Sequence, residues 1–405
     1  MNGGKACQSP SKGKGGKTGN GSAATNSTTA KAVYFITNSA NNSIVAMKVG
    51  ANGTLSDGSI TPTGGAGMSG VNATGGASAP DSLFSQGSIK ISGNTLIAVN
   101  PGSNTISMFQ ISSTDPTKLT MIGQPASTLG EFPTSLTISS TLNQACVANS
   151  GAVAGIACLS MSSTGLTPLD TTLRPFAINQ TTPPSGPLNT VSQVFFNADS
   201  SMLMATVKGD PTKNNTGFLS MFPVAGGKVS MTETRTSPSG TAVLFGTALL
   251  PNANQLFVTD ASFGSATLSL PSSNSSTSNL NQATVSSSTK IADQKATCWA
   301  TFSPLTSTAF VTDVAVNHLV EIDPSTGTIV NNFQSSNGNG GMIDLEGDKE
   351  GKMIFALSPG DGSAGTGAKV AVFDVSGGKG SVKEVGNFEV GGGVGGGSAM
   401  GMAVF

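Results

Sequence analysis

Short apolar runs rich in β-branched residues recur along nearly the whole chain, separated by turns of Gly, Pro, Asn and Ser. Seven of these runs end alike in a small or polar residue: YFITN at 34–38, LIAVN at 96–100, ACVAN at 145–149, MLMAT at 202–206, LFVTD at 256–260, AFVTD at 309–313 and IFALS at 354–358. Their mean spacing is about 53 residues, near the 40–50 residue period of propeller blades built from several short strands. The sixth unit divides most clearly into four strand-like pieces, TCWATFSP, TAFVTDV, HLVEIDPS and GTIVNNFQ, punctuated by SPLTS and DPSTG turns. No stretch carries a helical period. The pattern predicts an all-β, seven-bladed β-propeller of four-stranded blades over residues 32–405.

The first unit enters at its second strand, AVYFITN, and the chain ends on AMGMAVF, a strand without a partner. Pairing residues 399–405 with 32–38 closes the ring and removes two free edges that otherwise invite aggregation. Residues 1–31, rich in Gly, Ser and Lys, read as a flexible tail with too little apolar surface to offset ordering. Stretches 61–87, 271–290 and 391–397 read as low-complexity surface loops, because the repeat continues on both sides of each.

Composition narrows the function. Only 10% of the 405 residues are charged, the net charge is −1, and 101 residues are Ser or Thr. The balance offers no basic footprint for nucleic acid. No apolar run reaches the length of a membrane helix, so the folded part is expected to be soluble, and monomeric. Eight Asn-X-Ser/Thr sites, at Asn20, Asn26, Asn41, Asn52, Asn72, Asn179, Asn214 and Asn274, permit glycosylation but match chance in so Asn-rich a chain. The apolar stretch of a secretory signal is missing from the first residues; secretion would imply its prior removal. The low charge, the hydroxyls and a potential disulfide point to an extracellular or cell-wall location.

Four cysteines allow three pairings. Cys146 and Cys158 fall on neighbouring strands of the third unit, where a bridge is sterically open; two buried thiols are the alternative. Cys298, on an inner strand, reads as a buried thiol, with a bridge to Cys7 in the tail as the other choice.

Segments LTPLDTTLRPFAI at 166–178, VSQVFFNADSSMLMATVKG at 191–209, LFGTALLPNANQLFVTDASFG at 244–264 and ATCWATFSPLTSTAFVTD at 296–313 resemble the seven-bladed lactonase-type propellers. These include 6-phosphogluconolactonase and the fungal 3-carboxymuconate cyclase, and the likeness is nearest to secreted fungal members. The resemblance implies a small carboxylate, lactone or carbohydrate ligand, no cofactor, and a lactonase or cycloisomerase site of a His, a Glu and arginines on one face of the ring.

That chemistry needs a base near working pH and cations to fix a carboxylate. The lone histidine, His318, lies on a third strand and reads as structural. Where the resemblance places a catalytic histidine the chain has LGEFPTS, which leaves Glu131 as candidate base. Arg174 and Arg235 are candidate anion holders. Lys208 and Asp210, with Asp260 and Asp313 at strand ends, are candidate ligand contacts, though Asn and Asp also simply end strands. Trp299 reads as core sooner than as a sugar platform. No metal-ligand or nucleotide-loop spacing is present. A non-catalytic cell-wall or extracellular binding protein or antigen is the alternative function.

Overall fold

The computed structural model describes residues 28–271 and 282–405. Seven antiparallel sheets follow one another around a ring, each built outward from an inner strand. Starting from blade 2, the inner strands are Ile89–Ser92, Pro133–Ser139, Val191–Phe196, Leu244–Leu249, Thr297–Ser303 and Ile343–Gly347; Met400–Val404 is the inner strand of blade 1. It pairs with Ala32–Ile36 in the register Val33↔Val404, Tyr34↔Ala403, Ile36↔Met400, so the two ends of the chain complete one blade as the unpaired terminal strand requires.

Burial is greatest on the second strands and least on the outer ones, as the residue patterns dictate. Second strands such as Gln144–Asn149 are buried on both faces and read as unbroken apolar and small runs. Outer strands such as Thr284–Lys290 alternate between exposed positions and half-buried or buried ones, and hydroxyls suffice there. Blades 3 and 4 depart from four simple strands: their outer positions are each filled by two short pieces, Gly165–Pro168 with Arg174–Pro175, and Lys228–Val229 with Thr234–Thr236.

Inner strands share a second feature. Register slips between inner and second strands at Pro133/Ser135, Val191/Gln193, Leu244/Thr247, Thr297/Trp299 and Ile343/Leu345, all near the strand starts. Such bulges turn a residue out of the ladder and re-aim its side chain. Here the displaced residues include Thr134, Ser192, Gly246, Cys298 and Asp344, all around the channel.

Two loop expectations change. Residues 81–87, the end of the 61–87 stretch, are not surface: Ser82, Leu83, Phe84, Ser85 and Gln86 are buried, as is Ser88 just beyond it. The 271–290 stretch contributes the outer strand Thr284–Lys290, while residues 272–281 lie outside the described residues. Most of the tail, 1–27, and with it Cys7, also lies outside them; at its end Thr28 donates to Asp348 at 2.6 Å and Lys31 N to Phe405 O at 2.6 Å. Cys146 and Cys158 are directly opposed on adjacent strands and joined by a disulfide, and Cys298 is a buried free thiol. No described helix is long and apolar enough to cross a membrane.

Candidate functional site: a channel filled from one face and open at the other

The inner strands surround the ring's axis, and each presents one backbone edge to it. Those edges must find partners, because a buried unpaired amide is costly. Part of the answer is side chains borrowed from the preceding blade. Ser135 Oγ accepts from Val194 N at 3.0 Å, Thr137 Oγ1 from Phe196 N at 3.3 Å, and Gln193 Oε1 from Thr247 N at 2.6 Å.

The rest comes from the segment Asp81–Ser88, which enters from the face where inner strands begin and runs through the centre. Leu83 O accepts from Thr134 Oγ1 at 2.6 Å, and Ser85 Oγ donates to Thr134 O at 2.8 Å. Trp299 Nε1 donates to Ser85 O at 3.0 Å. Gln86 N donates to Ser192 O at 2.9 Å, and Gln86 O accepts from Ser135 Oγ at 2.7 Å. The Gln86 amide binds both backbone groups of Ala300, Nε2 to its carbonyl and Oε1 from its N–H, each at 2.9 Å. Gly87 N donates to Asp344 Oδ2 at 3.1 Å, and its carbonyl accepts from Leu136 N at 2.8 Å. Gly246 makes room for this plug: a Cβ there would overlap Gln86 Oε1 and the Cys298 carbonyl.

Lys208 is committed to the same segment. It is 1% exposed, donates to Phe84 O at 2.5 Å and Ser192 Oγ at 2.9 Å, and lies 4.3 Å above the Phe245 ring. Burial pushes its pKa down to about 8, against the pull of Asp81. Burial pushes the Asp81 carboxyl up to about 6, while Lys208 and the Phe84, Leu83 and Ser85 N–H groups favour its charged form.

Below Gln86 the channel is open. A cavity of about 460 Å³ lies among the second halves of the inner strands and the turns after them, with Gln86 as its roof. Its lining holds one cation, Lys90, and one anion, Glu346, paired at 3.1 Å. Burial disfavours the Lys90 ammonium, but Glu346 and Asp344 outweigh it and hold its pKa above the usual value. Asp344, 1% exposed, is pushed up to about 7 by burial.

The residues singled out from the sequence do not converge on this cavity, and none of them lines it. Glu131, half-buried where blade 3 begins, accepts from Thr182 Oγ1. Arg174 lies at the ring's circumference, paired with the third strand of blade 3, not at a pocket edge. It is 2% exposed and fully engaged: Asp170 at 2.5 Å and 3.1 Å, Ser230 O at 2.7 Å and Val229 O at 2.9 Å. Arg235 sits on an outer piece of blade 4, pairing Glu233 at 2.5 Å and stacking 3.7 Å over Phe218.

Asp260 accepts from Ala242, Val243 and Ser262 N–H groups, and Asp313 from those of Lys295, Ala296, Ala315 and Val316; both are buried loop staples. Asp210 caps the 3-10 turn Pro211–Lys213. Trp299 packs edge-on against Phe245 at 5.1 Å. His318 is fully buried, 3.8 Å from Asp293, with its pKa lowered by burial. No group of three metal-ligating side chains occurs among the described residues.

Sequence reading passed over Gln86, Gln193, Lys90 and Glu346. One signal was available: a connection as long as 61–87 inside a compact ring is uncommon as bare surface, and Leu83–Phe84 gives it an apolar anchor.

No family model and no curated protein matches the chain. Solved structures do. A Bacteroides fragilis protein named as a candidate 6-phosphogluconolactonase superposes with a TM-score of 0.58 at 12% identity, covering 93% of this chain and 98% of its own. A Bacteroides uniformis protein named likewise gives 0.55 at 16% identity, covering 72% and 80%. A Desulfotomaculum acetoxidans protein of unknown function gives 0.60 at 13%, covering 92% and 98%. At these identities the likeness is one of fold: a seven-bladed propeller like that of proteins named as lactonases.

Proposed function

We propose that this chain is an extracellular, non-catalytic protein on a lactonase-like propeller, kept for recognition and not for turnover. One observation carries the reading: the segment Asp81–Ser88 occupies the centre of the ring and consumes the polar groups that a substrate would need there. Lys208 is spent on Phe84, and Arg174 and Arg235 are spent on Asp170 and Glu233. Without an unengaged cation, a carboxylate or an enolate-like intermediate has no partner in the centre. The Cys146–Cys158 bridge and the hydroxyl-rich, weakly charged composition agree with an oxidising, extracellular setting.

The test is turnover. Purified protein is incubated with 6-phosphogluconolactone, simple aldonolactones, 3-carboxymuconate and its muconolactone, followed by ultraviolet absorbance and proton NMR. The reading expects rates equal to the uncatalysed background throughout. Turnover of any one of them, abolished by Asp344→Asn or Glu131→Gln, would overturn it.

A further inference from the structure

The open half of the channel is a cavity with unspent polar groups, on the side of Gln86 away from the filled centre, and nothing above assigns it a ligand. We propose that it is a binding site for a small neutral polyhydroxylated molecule of about hexose size.

Its 460 Å³ falls within the range of small-molecule sites. Charge excludes other classes first. The lining's single cation and single anion neutralise each other at 3.1 Å, so an anionic ligand must compete with Glu346 for Lys90, and a cationic one with Lys90 for Glu346. Polar groups then exclude a purely apolar ligand. Gln193 uses its Oε1 on Thr247, and its Nε2 has no protein partner among the described residues; the Thr301 hydroxyl has none either. An apolar occupant would desolvate both without replacing their hydrogen bonds. A polyol offers acceptors to Gln193 Nε2, hydroxyls to Thr301, and both donors and acceptors to the Lys90–Glu346 pair. Its C–H face finds the half-buried Phe302 ring on the wall. Six blades contribute to the lining, so rigid strands, not loops, fix these groups.

This inference concerns a different half of the channel from the non-catalytic reading and stands or falls separately, because its readout is binding and not turnover. Purified protein is titrated with D-glucose, D-galactose, D-mannose and myo-inositol, with D-gluconate as the anionic probe, using saturation-transfer NMR and calorimetry. At least one neutral probe is expected to bind saturably at millimolar concentration or below, and D-gluconate at least tenfold more weakly. Gln193→Leu should weaken that binding at least tenfold. Because this change also removes the acceptor of Thr247 N, Thr301→Val is the second variant; its hydroxyl bonds no described protein group, so folding is retained while binding falls several-fold. Absence of saturable binding by every neutral probe, tighter binding of gluconate, or affinity unchanged in a folded Thr301→Val protein would overturn the proposal.

Discussion

The side-chain amide of Gln86 pairs with the backbone of Ala300 on both its edges, 214 residues away in sequence. Two bonds of 2.9 Å replace the partner strand that the inner edge of blade 6 lacks, and a weaker contact at 3.4 Å reaches Thr247 O in blade 5. The plug is therefore part of the ring's hydrogen-bond system.

Gln86→Ala should destabilise the protein by about 2–4 kcal/mol, since it strands the Ala300 N–H and C=O in a buried place and leaves a void. Denaturant midpoints, with the slope checked for constancy, measure it. A loss below about 0.5 kcal/mol, the range of ordinary surface substitutions, would mean that Gln86 is not holding the centre.

Stability should fall as pH rises from 4 to 7.5. Asp344 and Asp81 have folded pKa values near 7 and 6, above the ordinary 3.8 of an unfolded carboxyl. The folded state therefore holds their protons more tightly, a contribution complete below pH 4 and lost as pH passes through the folded values. Lys208, depressed to about 8, has the opposite sign, but its cost is already complete below that pH and adds no slope in this window; His318, lowered by burial, also has the opposite sign and offsets part of the fall within it. Asp344→Asn should remove its share of the slope, about 1–4 kcal/mol. An unchanged slope in this variant would contradict the assignment.

Arg174→Ala should be costly to folding and silent for ligands. It leaves the Asp170 carboxylate, 11% exposed, without its cationic partner, with only the Cys158 N–H still bound to it, and frees two carbonyls of blade 4, a change of about 3–5 kcal/mol. Binding of any channel ligand should be unchanged in the protein that remains folded. Loss of binding with unchanged stability would return Arg174 to a ligand-holding role.

The ring was legible because each blade repeats the same local pattern of an apolar second strand and a hydroxyl-bearing outer one. Ring closure followed from one unpaired strand at the C-terminus, and Met400–Val404 against Ala32–Ile36 meets it. The centre was not legible for a physical reason. SLFSQGS has no strand or helix period, and its partners lie 49 residues away at Thr134 and 214 at Trp299 and Ala300. Arg174 misled for a related reason: its motif sits in a loop-like stretch, but Arg174–Pro175 pairs with Gly155–Ile156 and carries the guanidinium to the circumference. Gln193 and Thr301 sit within ordinary inner-strand patterns, and only the geometry of the channel shows which of their polar atoms are unspent.

The most direct test of the filled centre is amide hydrogen exchange across residues 81–88, resolved by peptide mass spectrometry. The account predicts protection of Phe84, Gln86 and Gly87 comparable to that of inner strands such as Val191–Phe196, close to the limit set by global unfolding. Exchange as fast as in an exposed turn, with the inner strands still protected, would show that the segment does not occupy the channel and that the centre of the ring is open.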